Sequence, residues 1–445
     1  MKKHFLLLCL LVASFTSAQA RDWYISVTGS DANDGKTPVT SVRTLQYVAD
    51  RVNPGDVVLI SSGEYTSPDE NSVVKISRSG KPGKWITWKA MPGHKPVIHP
   101  HGWNGILVNG SYHIFDGLTI KGCNDSIPLK MAIDDSKKET VSGFYNTNGI
   151  YVNGRLNDIN NKPHHVVIKN CCIHDCAGGG IVLIETDYIT VDNNDVYNNA
   201  WFSRYGCSGI TTLHLWSYDH KPGYHIAITN NRVWNNCGLV PWGEVGRLSD
   251  GNGIILDVSN HGDEDWANMD NNIRISDAVK REQKHDPRPV WDNWILVARN
   301  ISVFNGGSGI HAFRASNIDI VNNTLCYNGS VMDYPELFAG LSHDVNFYNN
   351  VILPRPGGKI TSNVGNARVN WDYNVYPTPQ NFMHGPHDIV ADPLITNPQK
   401  DIRLGDFSLR DCSPAKNAAM NKQWQYTTLP NGDPDVIFSK NMGWY

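Results

Sequence analysis

Past residue 20 the chain has no apolar run long enough to cross a bilayer, which excludes a later membrane-spanning helix. It has no long basic run, and its formal net charge is −4. Nucleic acid is therefore not an expected partner. The 3.6-residue apolar periodicity of helical hairpins is missing. None of the cysteines shows zinc-ligand spacing with a second Cys or His pair. There is also no clustered run of aspartates, although a calcium ion wants six or more oxygen ligands.

What is present is a repeat. The phrases HVVIKNCCIHD, YITVDNNDVYNN, HIAITNNRVWNN, WILVARNISVFN, NIDIVNNTLCYN and DVNFYNNVIL share one pattern of strand, Asn-bearing turn and strand. Alternating β-branched and aromatic positions make each unit one coil of a parallel β-helix, and a period of roughly twenty to thirty residues means a solenoid. One frame places Asn170, Asn193, Asn230, Asn300, Asn323, Asn350 and Asn374 in a ladder whose amides bond from coil to coil. His174, Tyr197, Trp234, Phe304 and Tyr327 follow as a stacked column that belongs to the core. Coils open with Gly-Ile steps at 105–106, 149–150, 180–181, 209–210, 253–254 and 309–310, and with Gly340-Leu341.

The first twenty residues, MKKHFLLLCLLVASFTSAQA, join a basic start, an apolar run and an A-x-A-like end. They read as a secretory signal cut before Arg21, which predicts a secreted or periplasmic protein. The rest, 21–445, reads as a single β-helix domain with regular coils over about 96–355. Val42, Leu45, Val48 and Val52 predict a short helix capping the N-terminal end, and an irregular C-terminal cap is expected over about 356–445. Of nine cysteines, Cys9 leaves with the signal. The even remainder permits disulfides, with Cys176, Cys207 and Cys237 as candidates for a bridge. Cys171 and Cys172 are expected to face inward and outward in turn.

With Ile of each Gly-Ile step pointing inward, strand alternation puts Tyr151, Val182, Thr211, Ile255 and His311 in one outward column. Asn153, Ile184, Leu213, Asp257 and Phe313 form the next, and Glu185, His214 and Arg314 stand at the strand ends. The inserted stretches around Trp216, Tyr218, Asp219 and Lys221, and around Trp242, Glu244 and Asp250, converge on the same face. Ionisable and aromatic residues so concentrated predict a cleft, and the 14 Trp and 18 Tyr suit contact with sugar faces.

For a uronic-acid polymer, β-elimination needs the C5 carboxylate neutralised, the α-proton removed and the leaving oxygen protonated. Arg314 is the preferred neutralising group, with Ca²⁺ held by Asp250 and Asp257 as the alternative; no cofactor is otherwise required. His311, His214 or Lys221 would take the proton, and Tyr218 would supply one. Trp216, Trp242, Asp257 and Glu185 would hold the sugar. Glycoside hydrolysis would instead pair Asp257 with Glu185, Glu244 or Asp250, at about 5 Å or about 6.5–9.5 Å.

The DGNGIILD segment, the FNGGSGIHAFRASNIDIVNNTLCYNG coil and the two terminal segments resemble secreted right-handed parallel β-helix proteins. Within that set the chain is most similar to polysaccharide lyases acting on alginate or pectate-type polymers. The resemblance implies a right-handed coil and a monomer that cleaves an anionic polysaccharide by β-elimination. The missing aspartate cluster departs from the calcium-dependent pectate-lyase pattern. Uronate epimerases share the proton-abstraction step, and a non-catalytic carbohydrate-binding surface protein would have the same fold.

Overall fold

The structure, a computed structural model, describes residues 20–260, 287–427 and 435–444. Three parallel sheets carry the described fold. Sheet 1 has 11 strands from Asp22–Ile25 to Ala367–Asp372, sheet 2 has 9 from Val74–Ile76 to Thr361–Val364, and sheet 3 has 11 from Gly63–Tyr65 to Ile389–Val390. Each coil runs sheet 2, sheet 1, sheet 3, as in Ile181–Ile184, Asp187–Asp192 and Asp195–Tyr197. The next coil then pairs in register, Ile181 with Ile210 and Ile189 with Ile226. The result is an all-β, right-handed parallel β-helix.

The paired strands run from Asp22 to Val390, further than the 96–355 read from the repeat. The outer coils keep strand register but lose the asparagine: Leu118 and Cys171 precede sheet-3 strands where later coils place Asn. The inward column Ile106, Ile150, Ile181, Ile210, Ile254, Ile310 and Leu337 is buried and continuous. Gly340-Leu341 therefore ends a strand instead of opening one, since Gly340 pairs with Phe313.

Each corner needs a single residue in the left-handed region. Between sheets 2 and 1 it is Glu185, His214, Val258, Arg314 and Leu341, with φ 49 to 53°. Between sheets 1 and 3 it is Asn170, Asn193, Asn230, Arg299, Asn322, Asn349 and Tyr373. Asparagine tolerates this conformation better than most side chains.

The buried ladder is the next residue along: Asn194, Asn231, Asn300, Asn323, Asn350 and Asn374. Asn194 donates its backbone N–H and its amide to Asn231 Oδ1 at 3.0 and 2.9 Å, and Asn300 does the same to Asn323 at 3.0 and 3.0 Å. So Asn170, Asn193 and Asn230 are corner residues, not ladder residues. A second ladder, Asn199, Asn236, Asn305 and Asn328, lies between sheets 3 and 2 and ends on the buried carboxylate of Glu336.

The aromatic column has the same frame break. His174, Tyr197 and Trp234 stack with centroids 4.8 and 4.2 Å apart, but the register continues with Val303 and Cys326. Phe304 and Tyr327 occupy the left-handed corner instead. Tyr197 and Trp234 lie outside the coil interior, covered by Ile402, Phe407, Leu409 and Met442 of the C-terminal segment. Trp424, Tyr426 and Ile437 cover sheet 1 in the same way.

At the N-terminal end a helix, Leu45–Ala49, is capped by Thr44 and buries Leu45 and Val48 in the main core. All eight described cysteines are free thiols, so the Cys176, Cys207 and Cys237 bridge does not form. Cys171 faces the interior and Cys172 packs outside it. No helix among the described residues is long and apolar enough to cross a membrane. The signal segment, except Ala20, lies outside the described residues, as does most of the 258–290 insertion.

Candidate functional site

Register fixes the outer face of sheet 2. Tyr151, Val182, Thr211, Ile255, His311 and Phe338 form one column, and Asn153, Ile184, Leu213, Asp257, Phe313 and Gly340 the next. Arg314 and Glu185 are three coils apart at the corner, about 14 Å at the inter-strand spacing.

His311 is buried beneath Phe338 and Tyr334, at centroid distances of 4.1 and 5.6 Å. Burial pushes its imidazolium pKa down to about 3, so the ring is neutral. Its Nδ1 lies 3.3 Å from Asn252 Oδ1, an oxygen that also accepts the Ser308 N–H at 2.8 Å. An accepting oxygen requires Nδ1 to carry the proton, which leaves the lone pair on Nε2. Asn252 Nδ2 donates in turn to Asp250 Oδ1 at 3.3 Å. Burial pushes the Asp250 carboxyl up to about 6.

Gly206, at φ +60°, closes this end. A Cβ there would meet Asp250 Oδ2 at 2.6 Å and Trp242 Cγ at 3.6 Å, so the backbone passes directly against both side chains. Asp257 Oδ1 lies 3.9 Å from Arg314 Nη2, with the guanidinium largely buried. Asp250 and Asp257 thus face different partners. Among the described residues no third Asp or Glu joins them in a ligand group.

A second group gathers where sheet 2 turns into sheet 1. Lys162 Nζ bonds Glu185 Oε2 at 2.6 Å and sits 4.6 Å from the Trp216 ring centroid. Lys162, His164, Asp187, Trp216, Tyr218, Pro287 and Pro289 line an open groove of about 390 Å³. Tyr218 is 52% exposed and lies 3.8 Å from the His164 ring. Its ring lines the groove.

Lys221 Nζ is exposed and pairs with Asp219 Oδ2 at 2.8 Å, which raises its pKa above the ordinary lysine value. Burial alone would raise the Asp219 carboxyl, but hydrogen bonds from Lys221 and Tyr188 outweigh it and hold it at about 2. His214 is a corner residue whose backbone N–H donates to Asp257 O at 3.3 Å. Glu244 stands exposed in the turn whose ends, Trp242 and Arg247, bridge.

Sequence reasoning missed a ladder of rings at this corner. Tyr112, His165, Tyr188 and His225 stack at 4.7, 4.4 and 3.9 Å. His225 is buried and clamps Asp187, whose two oxygens lie 3.0 Å from Nδ1. Burial lowers His164 to about 4 and His165 to about 3. The signal was available: HH, DY and YH open the strands HHVVIK, DYITVD and YHIAIT.

The coil and the outward groove define the class, a right-handed parallel β-helix whose corner loops build one face. Residues 23–237 match the Pel9A-like right-handed β-helix region. Among solved structures, pectate lyase Pel9A is similar at 16% identity over 91% of this chain and 93% of that one, with a TM-score of 0.48. A rhamnogalacturonan lyase is 16% identical over 79% and 87%, with a TM-score of 0.46. The lacto-N-biosidase from Eubacterium ramulus is 16% identical over 80% and 60%, with a TM-score of 0.44. No curated protein sequence matches the chain.

Proposed function

We propose that this chain is an exported polysaccharide lyase that cleaves an acidic, uronic-acid-containing polymer by β-elimination. The observation that carries the reading is the placement of Lys162 and Trp216, 4.6 Å apart, and of Arg314 further along the same corner between sheets 2 and 1, two cations and a ring on one edge of the coil stack. An anionic chain laid across the coils would meet a cation at either end and aromatic faces in the groove.

Arg314, oriented by Asp257, neutralises the uronate carboxylate and stabilises the charge that grows as C5 loses its proton. His311 Nε2 takes that proton, because its lone pair is fixed there by the Asn252 contact. The electron pair from the C5–H bond forms the C4–C5 double bond, the C4–O bond breaks, and the leaving oxygen takes the proton that His311 Nε2 has removed, which returns the imidazole to its neutral form. Trp216 and Tyr218 hold neighbouring sugar rings.

Asp250 favours one other reading. A buried carboxyl raised to about 6 is suited to the general-acid role that glycoside hydrolysis needs. One experiment separates the two. Purified protein is incubated with alginate, pectate, polyglucuronate and glycosaminoglycans, and both the ultraviolet absorbance of an unsaturated uronate and new reducing ends are followed. Rising absorbance on one polymer supports elimination and names the substrate. Reducing ends without absorbance assign hydrolysis, and binding with neither signal makes the chain a carbohydrate-binding protein.

A further inference from the structure

Glu64, His99, His101 and Cys123 meet along sheet 3 in the N-terminal coils, and the lyase chemistry uses none of them. Their strands are consecutive and in register, Glu64 against Val97 and Ile98 against Ile120. Two residues apart past the strand end, His99 and His101 project to the same side, their rings stacked at 4.7 Å and 28°. Cys123 comes up beside them from the next coil. Its Sγ lies 3.3 Å from His99 Nε2 and 3.8 Å from His101 Nδ1.

Those separations are the telling quantity. A tetrahedral zinc ion holds sulfur at about 2.3 Å and nitrogen at about 2.0–2.1 Å, which places the two ligand atoms about 3.6 Å apart. The two observed distances bracket that value, and the three ligand atoms all lie within 4.8 Å of one another. A plain thiol–imidazole hydrogen bond would account for one histidine but not for the second. Glu64 Oε1 lies 3.1 Å from His99 Nδ1. That nitrogen has no hydrogen-bond partner of good geometry, and a metal at Nε2 would draw the carboxylate into the orienting role that outer carboxylates play for zinc-bound histidines. His99 and Cys123 are largely buried while His101 is exposed, so the site is open on one side.

We propose that His99, His101 and Cys123 bind one borderline-soft divalent metal ion, Zn²⁺, with the fourth position open to solvent and Glu64 orienting His99. This site is independent of the lyase reading.

The test is zinc titration of the full chain against a competing chelator, with Co²⁺ as the spectroscopic probe. A single equivalent of zinc is expected, with a sulfur-to-cobalt charge-transfer band. Cys123→Ser should remove the band, and His101→Ala should weaken zinc binding by at least about 100-fold. Glu64→Gln should weaken it by about 10–100-fold. His101 is on the surface, so its variant keeps the fold, checked by thermal unfolding in chelator. Absence of stoichiometric binding, or full zinc affinity in His101→Ala, overturns the proposal.

Discussion

Lys162 Nζ lies 2.6 Å from Glu185 Oε2, and both side chains are largely buried, at 12% and 18% exposure. The pair joins the loop before sheet 1 to the left-handed corner after a sheet-2 strand. Lys162→Met leaves the Glu185 carboxylate in a nearly dry corner. The expected cost lies between those of an exposed and a buried pair, about 1–3 kcal/mol in urea unfolding. On an acidic polymer KM should rise about tenfold, the ~1.4 kcal/mol of one lost charge contact. Adding Glu185→Leu should restore stability but not KM. If KM recovers too, Lys162 does not touch substrate.

The Asn ladder yields a sharper stability test. Asn300 accepts from Asn231, donates to Asn323 and donates to Ile228 O at 2.8 Å. Asn300→Ala strands donors and an acceptor in a dry interior, at about 2–4 kcal/mol. Asn230→Gly, at the corner one position before the ladder, keeps the left-handed backbone and should cost under ~1 kcal/mol. Equal losses for the two in denaturant melts would place the ladder elsewhere.

That off-by-one shows what the sequence can and cannot tell. At Arg299-Asn300 and Tyr373-Asn374 a single Asn marks the interior, and the frame is read correctly. At Asn193-Asn194 and Asn230-Asn231 both residues are Asn. One serves the left-handed corner and the other the ladder, and only strand register decides which. The sheet-2 columns were legible because the Gly-Ile step anchors alternation. The His99, His101 and Cys123 cluster was not, because it joins adjacent coils that lack the asparagine mark.

Glu336 gives stability a defined pH dependence. Burial raises its carboxyl to about 8, against hydrogen bonds from Asn328 that pull the other way. Glutamate in an unfolded chain titrates near 4.3. The folded state therefore holds the proton more tightly. This contribution is complete below about pH 4.3, declines above it, and is lost as pH rises through about 8. Urea unfolding at pH 5 and pH 8 should show the native chain losing a few kcal/mol more than Glu336→Gln. Parallel pH profiles for the two would mean that Glu336 is ionised in the ladder.

Arg314 and His311 separate chemistry from binding. Arg314→Lys keeps a charge but loses the planar fork that meets a carboxylate on two sides. If the guanidinium stabilises charge that appears only as C5 loses its proton, kcat should fall about 10²–10³-fold while KM stays within about threefold. His311→Gln removes the Nε2 lone pair and should abolish turnover while polymer binding, measured by calorimetry, persists. Trp216→Ala should do the reverse, raising KM with kcat nearly intact, because a stacked ring holds ground and transition states alike. The opposition of these two signatures carries the argument. A groove that only bound carbohydrate would lose affinity with Trp216 and remain indifferent to Arg314 and His311.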